Sequence, residues 1–175
     1  MQGIRNRLAF AAALAACFSC PGTSHAAQSF FRFSAGISTV DQPAIGNPGA
    51  AEGVDLEIGV TSPLAIVLGL DFAQWKADGT SPYVTGSKYF HDFAAGLRLR
   101  RPDGSWRPYA DLLLVSGSGD FSGNGVGAAA GAGLSWGRGG GPRIFIDGRG
   151  TITTDMDFSL SLFFARAGVA IPFSR

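Results

Sequence analysis

From residue 30 onward, apolar and polar positions alternate with a period of two in eight separate stretches. "FRFSAGIST" sets Phe31, Phe33, Ala35 and Ile37 on one face against Arg32, Ser34, Gly36 and Ser38 on the other. "GVDLEIGVT", "LAIVLGLDF", "YFHDFAAGLRLR" and, less cleanly, "RPYADLLLVSG" repeat the pattern. So do "GVGAAAGAGLSW", "PRIFIDGRGTIT" and "SLFFARAGVAIPF". A period of two is the signature of a strand with unlike faces. The intervening segments alternate in length. "TSP", "RPDGS" and "GRGGGP" are short and turn-like, "DQPAIGNPGAAE" and "ADGTSPYVTGS" are long, and "SGDFSGNG" is intermediate. Short turns at one end and longer loops at the other are the habit of a transmembrane barrel. The pattern predicts an all-β fold, an eight-stranded antiparallel up-and-down β-barrel that spans a membrane.

Which face points inward is decided by glycine. Gly36, Gly59, Gly69, Gly96, Gly131, Gly133 and Gly168 all fall on the polar face. On a water-facing outer surface they would weaken the strands for no gain. Inside a narrow barrel filled by side chains they make room for large neighbours. The interior is therefore expected to be polar and filled. The wall, including Leu56, Ile58, Leu68, Leu70, Leu97, Leu112, Ile146 and Val169, is expected to face lipid. "GVGAAAGAGLSW" then reads as a strand with a crowded inner face and a small apolar outer face. Aromatic girdles are expected at the two interfaces, with Phe31, Trp106, Trp136 and Phe173 at one and Phe72, Trp75, Tyr89 and Phe158 at the other.

Composition adds compartment and charge. Arg5 and Arg7, the apolar run "LAFAAALAACFSC" and the small residues Ser24 and Ala26 form a secretory signal, with cleavage expected before Ala27. Residues 1–26 are thus read as leader and 27–175 as the barrel domain. "LAAC" also resembles a lipobox, which would instead place a lipid on Cys17. Both cysteines, Cys17 and Cys20, lie in the leader, so the mature part has no disulfide or thiolate metal site. Loss of the leader leaves 12 of the 14 basic residues against 13 acidic ones, a balance that gives no reason to expect nucleic acid as a partner.

The charges on the inner face are the candidate site. Asp55, Glu57, Asp71, Asp92, Asp111 and Asp147 are set against Arg32, Arg98, Arg100, Arg149 and Arg166. Buried charges persist when paired and hydrogen-bonded, so these residues are expected to form a salt-bridge network that plugs the lumen, with a transport or gating role for the same network as the alternative. Arg166 is expected to bridge carboxylates of other strands, with Glu57 and Asp147 favoured. Asp41, Glu52, Asp78, Asp120, Asp155 and Asp157 make the outer loops acidic. They read as solvated loop charge, with cation bridging to lipopolysaccharide or a surface partner as the alternative. "GRGGGP" lacks the Lys-Ser/Thr and helix of a phosphate loop and reads as a turn.

The ordered set of leader, strand pattern, "RPYADLLLVSG", "GAAAGAGLSW" and "ARAGVAIPF" resembles the small bacterial outer-membrane barrels of the OmpA-like and OmpX-like porin superfamily over 27–175. The chain departs from them in ending Phe173–Ser174–Arg175 rather than on an aromatic, and it is expected to have no peptidoglycan-binding domain after the barrel. The resemblance implies an outer-membrane protein among lipid and lipopolysaccharide, with a structural, envelope-integrity or surface-interaction role. No catalytic, cofactor-binding or metal-ligating residue is expected, and no cofactor. Two other functions remain open. One is a lipid-modifying enzyme on the same barrel, such as a lipid A deacylase. That family places a serine two residues after its histidine, whereas here Phe93 follows His91. The other is a soluble or lipid-anchored periplasmic barrel that binds an apolar ligand in an inverted interior.

Overall fold

The alternation produces strands because each face of each stretch finds a different solvent. The computed structural model describes residues 27–42, 45–80, 82, 84–120, 122–154 and 159–173. The leader, with Cys17, lies outside the described residues, as do Asp155, Asp157 and Phe158. Eight strands follow in order: β1 (Phe30–Val40), β2 (Ile45–Gly59), β3 (Leu64–Ala77), β4 (Ser87–Arg100), β5 (Trp106–Gly119), β6 (Ser122–Trp136), β7 (Arg143–Thr154) and β8 (Ser159–Pro172). Each pairs antiparallel with the next, and β1 closes on β8 from Phe30↔Pro172 to Val40↔Leu162. Closure leaves no sheet edge, so backbone groups are satisfied within the sheet, as a bilayer interior requires. Among the described residues no helix is long and apolar enough to cross a membrane.

Two strands run further than the alternation predicts. β2 begins at Ile45, inside the segment read as a long loop, and β6 begins at Ser122. Both extensions pass through an irregularity, between Gly46 and Ala50 in β2 and between Gly117 and Gly119 opposite β6. Glycine and Pro48 interrupt the period-two signal there, while the facing strand continues to offer hydrogen-bonding partners. A β-bulge absorbs the mismatch.

The three short connections, 60–63, 101–105 and 137–142, share one end of the barrel with Phe30 and Pro172. Gly104 and Gly139 take positive φ there, 96° and 57°, a conformation that glycine adopts without a Cβ clash. By the usual polarity of such barrels this turn end is periplasmic.

The expected wall faces outward. Leu112 is 68% exposed and Ile146 61%, with Ile58, Leu70, Leu97 and Val169 also exposed and Leu56 and Leu68 half-exposed. A continuous apolar surface of this kind fits lipid and not water. It also overturns the inverted interior of the soluble-barrel reading, because the apolar face is the outer one. Phe31 stacks near Phe173 with centroids 4.6 Å apart, and Trp106 near Trp136 at 5.9 Å, at the turn end. Phe72 and Tyr89 are exposed towards the other end. Trp75 corrects the girdle expectation. It shares the parity of Asp71 and Ala73 and lies buried inside the barrel, with its indole N–H donating to the Ser38 carbonyl at 3.3 Å.

Candidate functional site

The lumen is filled in layers. At the loop end it is apolar: Val40, Ile45, Trp75, Phe90, Leu160, Leu162 and Phe164 pack together, all buried. The expectation of a polar interior therefore holds for the middle and the turn end, and the loop end is an apolar plug. Its residues obey the same inward parity, but β8 and the outer ends of β1 to β4 carry large apolar side chains at those positions. A second apolar group, Val67, Ala94, Leu113, Val115 and Ala129, lines the β3–β6 side.

Below the plug lies the charge network. Every one of Arg32, Asp55, Asp71, Asp92, Arg98, Arg149 and Arg166 is buried on the inner face, as are Glu57, Arg100 and Asp111, and Asp147 is nearly so. Arg98 grips Asp111 with two parallel hydrogen bonds, Nε to Oδ1 at 2.6 Å and Nη2 to Oδ2 at 2.8 Å. Its third prong, Nη1, donates to Glu57 at 2.6 Å. Glu57 also accepts from Arg32 Nη1 at 3.2 Å and from Arg100 Nη1. Arg166 holds Asp147 through Nε (2.9 Å) and Nη2 (3.1 Å) and pairs with Asp71 through Nη1. Arg149 pairs with Asp71 and lies 3.6 Å from Asp55. Asp55 stands between three arginines, with Arg98 at 3.6 Å and Arg32 at 4.0 Å. Bidentate guanidinium–carboxylate pairs are the strong form of this interaction.

Two expectations about the network need correction. Arg166 does not reach Glu57; it bridges Asp147 and Asp71. Register explains this: Gly36 faces both Arg166 on β8 and Ala51 on β2, while Glu57 lies six residues further along β2, about 20 Å nearer the turn end at the usual strand rise. Asp92 lies opposite Asp71 across β3–β4 but joins no ion pair among the described residues. Neither of its carboxylate oxygens meets an arginine or a hydroxyl at hydrogen-bonding distance. The plug layer begins one inward position above it, at Phe90, and the arginines reach up only as far as Asp71.

Tyr109, Arg143 and Ser135 were absent from the sequence-derived set. Tyr109 Oη accepts from Arg32 and donates to Asp147 at 3.0 Å, and the guanidinium groups of Arg32 (4.5 Å) and Arg98 (4.4 Å) both lie over its ring. Gly133, directly across the β5–β6 pair, makes this possible, since a Cβ there would strike the Tyr109 ring. Arg143 is buried at the start of β7, and its Nε donates to Ser135 Oγ at 3.4 Å. Parity with Phe145 and Asp147 is the signal that places Arg143 inward.

The other candidates lie outside the lumen. His91 is exposed on the outer face, with its ring 6.3 Å from Phe72. Strand register sets Ser118 opposite it on β5, a neighbour that sequence spacing does not reveal. Asp78 is committed to its own turn, accepting from Thr80 N at 2.8 Å and Thr80 Oγ1 at 2.6 Å, and these bonds hold its carboxyl below the usual range. Asp120 accepts from the Tyr89 amide at 2.9 Å. Asp41 and Glu52 are exposed. Among the described residues no group of three or more His, Cys, Asp or Glu side chains is placed to hold a metal ion.

No family model matches the sequence, and no curated protein matches it. Solved structures do. Neisserial surface protein A superposes over 83% of this chain and 97% of its own, with a TM-score of 0.63 and 14% identity. The chain has the fold of the small eight-stranded outer-membrane barrels. OprG of Pseudomonas aeruginosa covers 87% of the chain and 99% of its own at a TM-score of 0.59 and 10% identity. Ail, the attachment invasion locus protein of Yersinia pestis, covers 85% and 100% at 0.55 and 15%. The outer membrane enzyme PagL is also similar, covering 81% of the chain at 0.54 and 14% identity. The barrel is thus a scaffold shared by proteins with and without catalysis, and its use here is read from its own side chains.

Proposed function

We propose that the chain is a bacterial outer-membrane barrel without enzymatic activity, delivered by a cleaved leader over residues 1–26, with a structural, envelope-integrity or surface-interaction role. The observation that carries this reading is the sealed lumen. Arg98, Arg149 and Arg166 tie carboxylates together across the middle, and Trp75, Phe90 and Phe164 close the loop end. On this reading the described side chains fill the lumen, and the working surfaces are the lipid-facing wall and the loops. Outer-membrane lipid and lipopolysaccharide are its surroundings. Likeness to a neisserial surface protein and to an attachment invasion locus protein favours contact through the loops. Planar-bilayer recording tests the reading. The wild type is expected to give no large, stable ion current, and such a current would refute the plugged lumen. Fractionation with a gel of boiled and unboiled samples tests location: the protein should remain with outer membranes and change mobility on boiling.

The second reading is a lipid-modifying enzyme, favoured by Ser118 facing His91 on the outer surface and by the likeness to PagL. Nucleophilic catalysis needs the base within hydrogen-bond reach of the hydroxyl, and no such bond joins this pair among the described residues. His91→Ala is expected to leave the lipid A profile unchanged by mass spectrometry. Loss of a modification in that variant would establish the enzyme.

A further inference from the structure

At the turn end of the lumen, cationic groups outnumber anionic ones. Arg100, Arg107 and Arg143 line a small cavity beneath Arg32 and Arg98, and Glu57 is the carboxylate on its wall. Glu57 is already engaged by Arg32, Arg98 and Arg100. Arg143 is only 3% exposed, yet its Nη1 has no hydrogen-bond partner. Its Nη2 donates to the Ser105 carbonyl at 2.9 Å and its Nε to Ser135 Oγ at 3.4 Å, so the side chain is held in place with one prong free. A buried guanidinium donor without an acceptor is costly unless something else supplies one.

The cavity volume is about 20 Å³, room for roughly one oxygen atom. Arg100 and Arg107 also line an open vestibule of about 740 Å³ beyond it, framed by the turns 101–105 and 137–142 and carrying Arg138 and Asp103. We propose that this periplasmic mouth binds a phosphate-type oxyanion, with one oxygen seated against Arg143 and the rest of the group in the vestibule beside Arg107. Arg107 and Arg143 come from β5 and β7, and Arg100 on β4, whose nitrogens are engaged by Ser62, Glu57 and Gln28, adds its charge. This excess of positive charge suits a multiply charged oxyanion better than a singly charged carboxylate. The glycine-rich turn over 137–142 forms one wall of the vestibule, where the Gly140 carbonyl accepts from Gln28 Nε2 at 2.9 Å. The site lies on the barrel axis, away from the ring of lipid phosphates around the outer wall. Its occupant is therefore a dissolved phosphate group.

The test uses the full barrel refolded in an uncharged maltoside detergent, titrated with inorganic phosphate and pyrophosphate at constant ionic strength by calorimetry and phosphorus NMR. The wild type is expected to bind saturably, one anion per barrel. Arg143→Gln is expected to weaken binding about tenfold or more, the effect of losing one charge-assisted hydrogen bond. Arg107→Gln, at a less buried position, should also weaken it. This second variant keeps the test decisive if Arg143→Gln fails to give the folded form on unboiled gels. Absence of saturable binding by the wild type up to about 10 mM, or unchanged affinity in both variants, would overturn the site. In phosphatidylcholine vesicles, bound phosphate should persist when phosphatidylglycerol is added. Its displacement would assign the same seat to a lipid headgroup and overturn the dissolved source.

Discussion

Arg98→Ala is the sharpest perturbation of the lumen. The wild-type side chain is fully buried and makes three charge-assisted hydrogen bonds at 2.6, 2.6 and 2.8 Å. Each such bond contributes about 1.5–3 kcal/mol, but the three do not simply add. Glu57 keeps Arg32 at 3.2 Å and Arg100, so its loss is partial. Asp111 keeps only Arg149, at 3.9 Å, and becomes an almost unpaired buried carboxylate. Breaking a buried pair from one side costs about 3–5 kcal/mol, and the stranding of Asp111 places Arg98→Ala in that range. Asp111→Ala strands Arg98 less, because Glu57 remains. The double variant removes both ends of the bidentate pair, so the cycle should show a coupling of about 1–3 kcal/mol. Urea unfolding of barrels refolded into lipid vesicles, followed by tryptophan fluorescence and the boiled/unboiled gel shift, measures all four corners. An Arg98→Ala variant within about 1 kcal/mol of wild type, or strictly additive single effects, would refute the network as a stabilising element.

Four further outcomes can be checked with the same unfolding assay. Arg166→Ala leaves Asp71 with Arg149 alone and Asp147 with the Tyr109 hydroxyl and a distant Arg32 at 3.9 Å, and should cost about 3–5 kcal/mol, whereas Arg138→Ala, in the exposed 137–142 turn, should stay within about 0.5 kcal/mol. Asp92→Asn replaces a buried carboxyl that has no hydrogen-bond or ion-pair partner among the described residues, so stability should stay level or rise by about 1 kcal/mol; a clear fall would mean Asp92 has a partner in the membrane. Leu68→Arg, on the lipid face of β3, should cost roughly 2–4 kcal/mol, and a neutral result would argue against a bilayer around that wall. Gly133→Val drives a branched side chain into the Tyr109 ring and should destabilise by about 1–3 kcal/mol or more, with Gly133→Val/Tyr109→Ala recovering part of the loss.

The two faces of each strand were legible because period two is a local property. Arg32 opposite Phe33, or Asp71 opposite Phe72, needs no knowledge of neighbouring strands. Pairing partners were not legible, because they depend on the stagger between strands. Arg166 meets Asp71, a residue 95 positions away, and misses Glu57 for the same reason. Trp75 was hidden by its type: an aromatic at a strand end reads as an interface anchor, although its parity with Asp71 and Ala73 points it inward. Arg143 was hidden by its setting, since Pro142 and the glycine run mask the start of β7. Ser118 opposite His91 is visible only once the β4–β5 register is fixed.

Several ion pairs of the lumen join strands that are not neighbours. Arg98 and Arg100 on β4 reach Glu57 on β2, and Arg149 on β7 and Arg166 on β8 both reach Asp71 on β3. A sheet that has not yet curled round would hold these partners apart, leaving Asp71 without either of its arginines and Glu57 without Arg98 and Arg100, facing hydrocarbon or trapped water. A half-inserted barrel thus sits high in free energy, and closure of β1 on β8 releases the penalty at once rather than strand by strand. The chain has little reason to linger partway into the bilayer. Assembly should proceed as a single cooperative event, slowed by the wait for its first and last strands to meet.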